Sequence, residues 1–100
     1  MQSHYAPGKQ LVLGPLPGLL KKFGVSGVGI LSFSDHIREV ATQNQIRLSP
    51  SRNLEEAAQK LFGALRELDK MEIDIILAEE VPDTGIGRAI NDRLRRAPTT

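Results

Sequence analysis

The residues able to do chemistry collect where apolar runs stop. The run Ile73 to Ala78 ends in Glu79-Glu80, with Asp83 close behind. Paired carboxylates suit cation binding or acid–base work, and adjacent acids beyond a strand equally suit plain solvation. Thr84-Gly85-Ile86-Gly87 then leads into a helical pattern. A helix start offers free N–H groups, so Thr84, Gly85 and Gly87 are candidates for binding an anion or nucleotide. The spacing is neither G-x-G-x-x-G nor a P-loop, and the same glycines permit a tight turn and close helix packing. Asp92 and Arg93, in the polar cluster Asn91-Asp92-Arg93, are expected to tie that helix to a neighbouring loop. Arg93-Leu94-Arg95-Arg96 suits the negative end of a helix better than a nucleic-acid patch. Ser34-Asp35-His36 holds letters of a hydrolase triad without a G-x-S-x-G elbow. No coherent nucleophile, base or metal set emerges, so no catalytic residue and no metal ligand is assigned.

Composition narrows the function classes further. The chain has 100 residues, 40% of them apolar and 25% charged, which fits one soluble domain. Thirteen Lys plus Arg face 12 Asp plus Glu, leaving a net charge of +1. Such a balance creates no strong field toward nucleic acid or membrane. The absence of cysteine excludes disulfides, thiolate nucleophiles, iron–sulfur clusters and Cys-based zinc sites. It fits a reducing compartment, and a cytoplasmic location is expected. The two histidines, His4 and His36, lie far apart, which disfavours a His-rich metal site. No apolar run approaches the roughly 20 residues of a membrane helix, and the first residues do not read as a signal peptide.

The elements that must position these groups alternate between strand and helix. Residues 1–10 read as a linker around Ala6-Pro7-Gly8, and residues 11–100 as one domain. Leu11-Val12-Leu13 reads as a buried strand, and Leu19, Leu20 and Phe23 as a short helix that Gly24 can stop. Val28 to Phe33 is apolar on both faces, as inside a doubly covered parallel sheet. Ile46-Arg47-Leu48 alternates like an edge strand. Asn53 with Glu56 predicts a capping box opening a helix over about 54–70, whose apolar stripe includes Leu61, Phe62, Leu65 and Leu68. Ile73 to Glu79 predicts a strand, and Ile86, Ala89, Ile90 and Leu94 predict the buried face of a last helix. This alternation predicts an α/β sandwich in three layers, with a mostly parallel sheet of about four to five strands and helices on both faces.

Three segments together resemble a known family. They are Ser3-His4-Tyr5-Ala6-Pro7, Ala57-Ala58 with Leu61 through Asp69, and Gly85 through Ala97. In this order and spacing they resemble the C-terminal part of the long, two-domain L-threonylcarbamoyladenylate synthases, over essentially the whole chain. The resemblance implies a Rossmann-like C-terminal domain and a fragment of a longer protein, with Met1 as a cloning start. That family makes threonylcarbamoyl-AMP and pyrophosphate from threonine, bicarbonate and ATP, toward N6-threonylcarbamoyladenosine in tRNA. Its catalytic module, about 200 residues, would precede this chain in the parent. ATP, with Mg2+, would belong to that module, leaving no cofactor here. The Lys-x-Arg motif of that module has no counterpart here. Ser51-Arg52-Asn53 matches its Ser-x-Asn motif only by letters.

By the same resemblance, His4, Tyr5 and Pro7 belong to a linker that lies over the active site and retains the intermediate. The chain would then be a non-catalytic accessory domain, with the parent's N-terminal catalytic domain as its partner. A tRNA contact is compatible with that pathway, but the charge balance does not indicate one. The alternative, from a different class, is a stand-alone small-ligand or nucleotide-binding module built on the Thr84-Gly85-Ile86-Gly87 helix entry.

Overall fold

Each apolar run becomes one strand of a single sheet. In the computed structural model, which describes residues 8–97, the elements are β1 (Gln10–Leu13), α1 (Leu16–Phe23), β2 (Val28–Ser32), β3 (Gln45–Arg47), α2 (Leu54–Lys70), β4 (Ile75–Ala78) and α3 (Ile86–Arg96). A single 3-10 turn, Thr42–Asn44, precedes β3. The four strands are ordered β1-β4-β2-β3, and every neighbouring pair is parallel. Leu11 and Gly29 flank Ile76, and Leu31 flanks Ile46. No helix among the described residues is long and apolar enough to cross a membrane.

Strand side chains alternate between faces, and this alternation sorts the core into two clusters. Leu11, Leu31, Ile76 and Ala78 point to the face covered by α2 and α3, where they meet Leu61, Leu65, Leu68, Ile90 and Leu94. Val28, Ile30 and Leu77 point to the other face and pack on Leu16 of α1 and on Val40. The three-layer α/β sandwich is therefore present, with β2 buried at every position and β3 at an edge.

Strand β4 begins at Ile75, later than Ile73 where the apolar run starts. Ile73 is buried under α2, and the Asp74 N–H is donated to the Gly27 carbonyl at 2.7 Å, so both serve the strand's entry.

Helix α2 spans the predicted residues, but only half of the capping box forms. Asn53 Oδ1 accepts the Glu56 N–H at 2.8 Å. The Asn53 N–H goes to Ser49 Oγ at 2.8 Å, not to Glu56. The Glu56 carboxylate instead accepts from Ser49 Oγ and Ser51 Oγ. Ser49 thus relays between the two arms of the cap. Asn53→Ala is expected to cost about 1 kcal/mol in chemical denaturation.

The hydroxyl bond from Ser49 holds the Glu56 carboxyl below its ordinary 4.5, with Lys60 and Ser51 assisting and desolvation opposing. A depressed carboxylate contributes stability above the unfolded pKa, and that stability is lost as pH falls through the folded pKa. Glu56→Gln should therefore flatten the acid side of the stability profile below about pH 4.5 and leave the neutral-pH slope unchanged. Urea melts across the acid range read this directly.

Candidate functional site

Ligands of open α/β sheets sit beyond the carboxyl ends of the strands, where neighbouring connections leave on opposite faces. Here that switch point lies between β1, which continues into α1, and β4, which continues into α3. It forms a cleft of about 330 Å³ lined by Leu13, Gly14, Pro15, Glu79 and Glu80. Both carboxylates are engaged in holding the rim together. Glu79 Oε2 accepts the Phe33 N–H at 2.8 Å, pinning the end of β2. Glu80 Oε2 accepts from Arg95 Nε at 2.8 Å, and that bond raises the Arg95 guanidinium further above its ordinary value. Among the described residues, no group of three or more His, Cys, Asp or Glu side chains could hold a metal ion.

A second polar cluster joins the ends of β2 and β3. Arg52 adopts a left-handed backbone, φ 62°, the only such non-glycine among the described residues. Its guanidinium lies 5.0 Å from the Phe33 ring centroid and donates to Ser34 Oγ at 2.9 Å. Cation–π attraction and the hydroxyl bond offset the backbone cost at that position. Arg47 Nη1 reaches the Ser34 carbonyl at 3.4 Å. No triad assembles here, because His36 Nε2 sits 3.3 Å from Thr42 Oγ1. Ser51 and Asn53 both belong to the α2 cap. The Ser-x-Asn letters therefore fall at a helix start, where both side chains take part in the α2 cap.

Thr84, Gly85 and Gly87 come together at the start of α3. Gly85 takes φ 52° and ψ −128°, a conformation essentially reserved for glycine. The Gly87 N–H is donated to the Thr84 carbonyl at 2.8 Å, and the Arg88 N–H to the Gly85 carbonyl at 3.1 Å. A side chain at Gly87 would meet the Pro82 carbonyl oxygen at 2.0 Å. The glycine thus lets α3 press against its own entry loop.

That contact rotates α3 away from the predicted face. Gly87, Ile90, Asn91 and Leu94 are buried, whereas Ile86 is 44% exposed and Ala89 is exposed. The tie to the loop is also reassigned. Asn91, fully buried, accepts the Val81 N–H at 2.8 Å, donates to the Val81 carbonyl at 2.8 Å, and reaches Asp83 Oδ1 at 3.2 Å. Asp92 pairs within the helix with Arg96, and Arg93 stacks over Phe62 at 4.9 Å. The signal for Asn91 was its place on the same stripe as Gly87, Ile90 and Leu94, since a polar group there must be paired. The linker candidates His4, Tyr5 and Pro7 lie outside the described residues.

Comparisons with known proteins agree with this architecture. A protein-family model described as "Threonylcarbamoyl-AMP synthase, C-terminal domain" matches residues 1–99. Threonylcarbamoyl-AMP synthase of Pyrococcus abyssi (strain GE5 / Orsay) is 36% identical over 106 residues, covering 94% of this chain and 29% of its own. The Bacillus subtilis (strain 168) enzyme of the same name is 32% identical over 102 residues, covering 95% of this chain and 30% of its own. The crystal structure of P. abyssi Sua5 complexed with L-threonine superposes with a TM-score of 0.73 at 33% identity, over 95% of this chain and 29% of that one. A P. abyssi Sua5 variant with an adjacent histidine and tyrosine changed to alanine gives 0.69 at 30% identity, over 92% and 28%. The chain thus spans under a third of the length of these relatives. By sequence across its length and by fold, it belongs to the threonylcarbamoyl-AMP synthase C-terminal domain family.

Proposed function

We propose that this chain is the non-catalytic accessory domain of a threonylcarbamoyl-AMP synthase. Its parent would join threonine, bicarbonate and ATP into threonylcarbamoyl-AMP with release of pyrophosphate, for tRNA modification in the cytoplasm. The observation that carries this reading is the family match over residues 1–99 by a chain that covers only 29–30% of its relatives. The remaining length accommodates a separate catalytic domain in the same polypeptide. ATP and its Mg2+ would belong in that domain, as the family resemblance implies.

In this reading the domain anchors a lid. His4, Tyr5 and Pro7 precede β1 and lie over the catalytic cleft of the parent. A mixed carbamic–phosphoric anhydride hydrolyses in water, so a covering segment that excludes water preserves it. Tyr5 supplies a ring and a hydroxyl, and Pro7 restricts the approach of the chain. The adjacent histidine and tyrosine replaced in the P. abyssi variant make His4-Tyr5 the natural pair to test.

In the full-length parent, Tyr5→Ala is expected to lower threonylcarbamoyl-AMP turnover about tenfold, equal to about 1.4 kcal/mol of barrier. Free intermediate should escape into solution as turnover falls. Unchanged kinetics would remove the lid. Stabilisation of this domain by adenine nucleotide alone, scaling with ligand concentration over its dissociation constant, would instead favour the stand-alone nucleotide-binding module.

A further inference from the structure

The rotation of α3 leaves apolar side chains uncovered. Phe62 of α2 is 41% exposed and Ile86 of α3 is 44% exposed, with Ala89 exposed between them. With Leu61 and Ile90 at the floor, they line an open groove of about 430 Å³ between the two helices. Arg93 lies over the Phe62 ring at one rim. Such a groove is a candidate contact surface, for which an occupant must be argued separately.

The start of the described chain lies near this groove. Just before β1, the Lys9 N–H is donated to Asp69 Oδ1 at 3.0 Å, and Lys9 Nζ to the Asp69 carbonyl. Asp69 follows Phe62 by two helical turns, about 10 Å along α2 and within about 20° of the same stripe. The described chain therefore begins beside the helix that forms one wall of the groove. The other exposed apolar pair, Phe23 at the end of α1 and Val25 just after it, lies on the opposite side of the sheet.

We infer that the α2–α3 groove is the surface on which this domain docks an apolar patch of the catalytic domain that precedes it in the same polypeptide. The inference rests on the proposed two-domain parent. The Lys9–Asp69 clasp holds the start of the described chain near the groove, and the groove receives the partner.

The test uses the full-length parent. Phe62→Glu with Ile86→Glu should release the docked state, raising the radius of gyration in X-ray scattering and speeding proteolysis between the domains at least tenfold. Phe23→Glu with Val25→Glu should change neither. A photo-crosslinking residue in place of Ala89 should join to the preceding domain of the same molecule, a readout that does not depend on how the glutamate variants fold. Unchanged scattering and cleavage, or crosslinks to a second copy or to tRNA, would overturn the docking surface. A parent that makes no threonylcarbamoyl-AMP at all would sink the functional reading instead, so the two failures are separable.

Discussion

Gly87→Ala is expected to destabilise the domain by about 3 kcal/mol or more, at the top of the range for overpacking. The added methyl would sit 2.0 Å from the Pro82 carbonyl oxygen and 3.2 Å from its carbon. Neither is the end of a flexible side chain, so relief requires moving α3 off the 79–85 loop. The same methyl would also lie 3.4 Å from Leu54 Cδ2. For a domain of this length, roughly 4–8 °C of melting temperature accompanies each kcal/mol, so a drop of at least about 12 °C should be seen by calorimetry. Gly18→Ala is the matched control. Gly18 lies inside α1, and a methyl there meets nothing within 4 Å. It should stabilise by roughly 0.5–1 kcal/mol through helix propensity. Equal effects at the two glycines would show that the close approach at Pro82 carries no weight.

The same glycine explains why the apolar pattern of α3 points about one residue of rotation away from its buried face. An apolar-periodicity argument scores Ile86 and Ala89 and gives glycine no weight. Burial is decided by which face can approach the loop, and only a residue without a Cβ tolerates the Pro82 carbonyl. Helix α2 was legible because its signals are local: a cap at Asn53, acids in the first turn, and an apolar stripe over 17 residues. Phe62 is the exception on that stripe, and its exposure depends on what α3 leaves open. The edge strand was legible at Ile46 from alternation alone. Strand order was not, because β4 enters between β1 and β2, a pairing far apart in sequence with no local mark. The left-handed Arg52 was equally hidden, since its partners Phe33 and Ser34 come from the loop after β2, distant in sequence.

The rim residues show how much of the apparent chemistry is assembly. Glu79 secures β2, Glu80 secures the end of α3, and Asn91 secures Val81. Glu79, Glu80 and Asn91 thus each tie the segment after β4 to a neighbouring element or to its own backbone. A catalytic role would need such groups free to change partners with substrate. Such a rim fits the proposed accessory role, in which the domain holds a position for another module.

Asn91→Leu tests that view most directly. The substitution keeps the side-chain volume close to constant, so the loss is not a cavity. It leaves the N–H and the carbonyl of Val81, a residue 4% exposed, without their partner. Two buried orphan groups at about 1–3 kcal/mol each predict a loss of roughly 3 kcal/mol or more. Asn91→Asp should also be destabilising at neutral pH, since it retains the acceptor but places a buried charge near Asp83. Its deficit should shrink as the pH is lowered, because the protonated acid can again donate to the Val81 carbonyl. Asn91→Leu has no titrating group and should keep its deficit. Combined with Gly87→Ala, Asn91→Leu should cost clearly less than the sum of the two. Moving α3 off Pro82 already stretches the Asn91 bonds, and residues that share one displacement do not add. Full additivity in a double-mutant cycle would mean that the loop is held at two independent points, and the argument for a single clamped rim would fail.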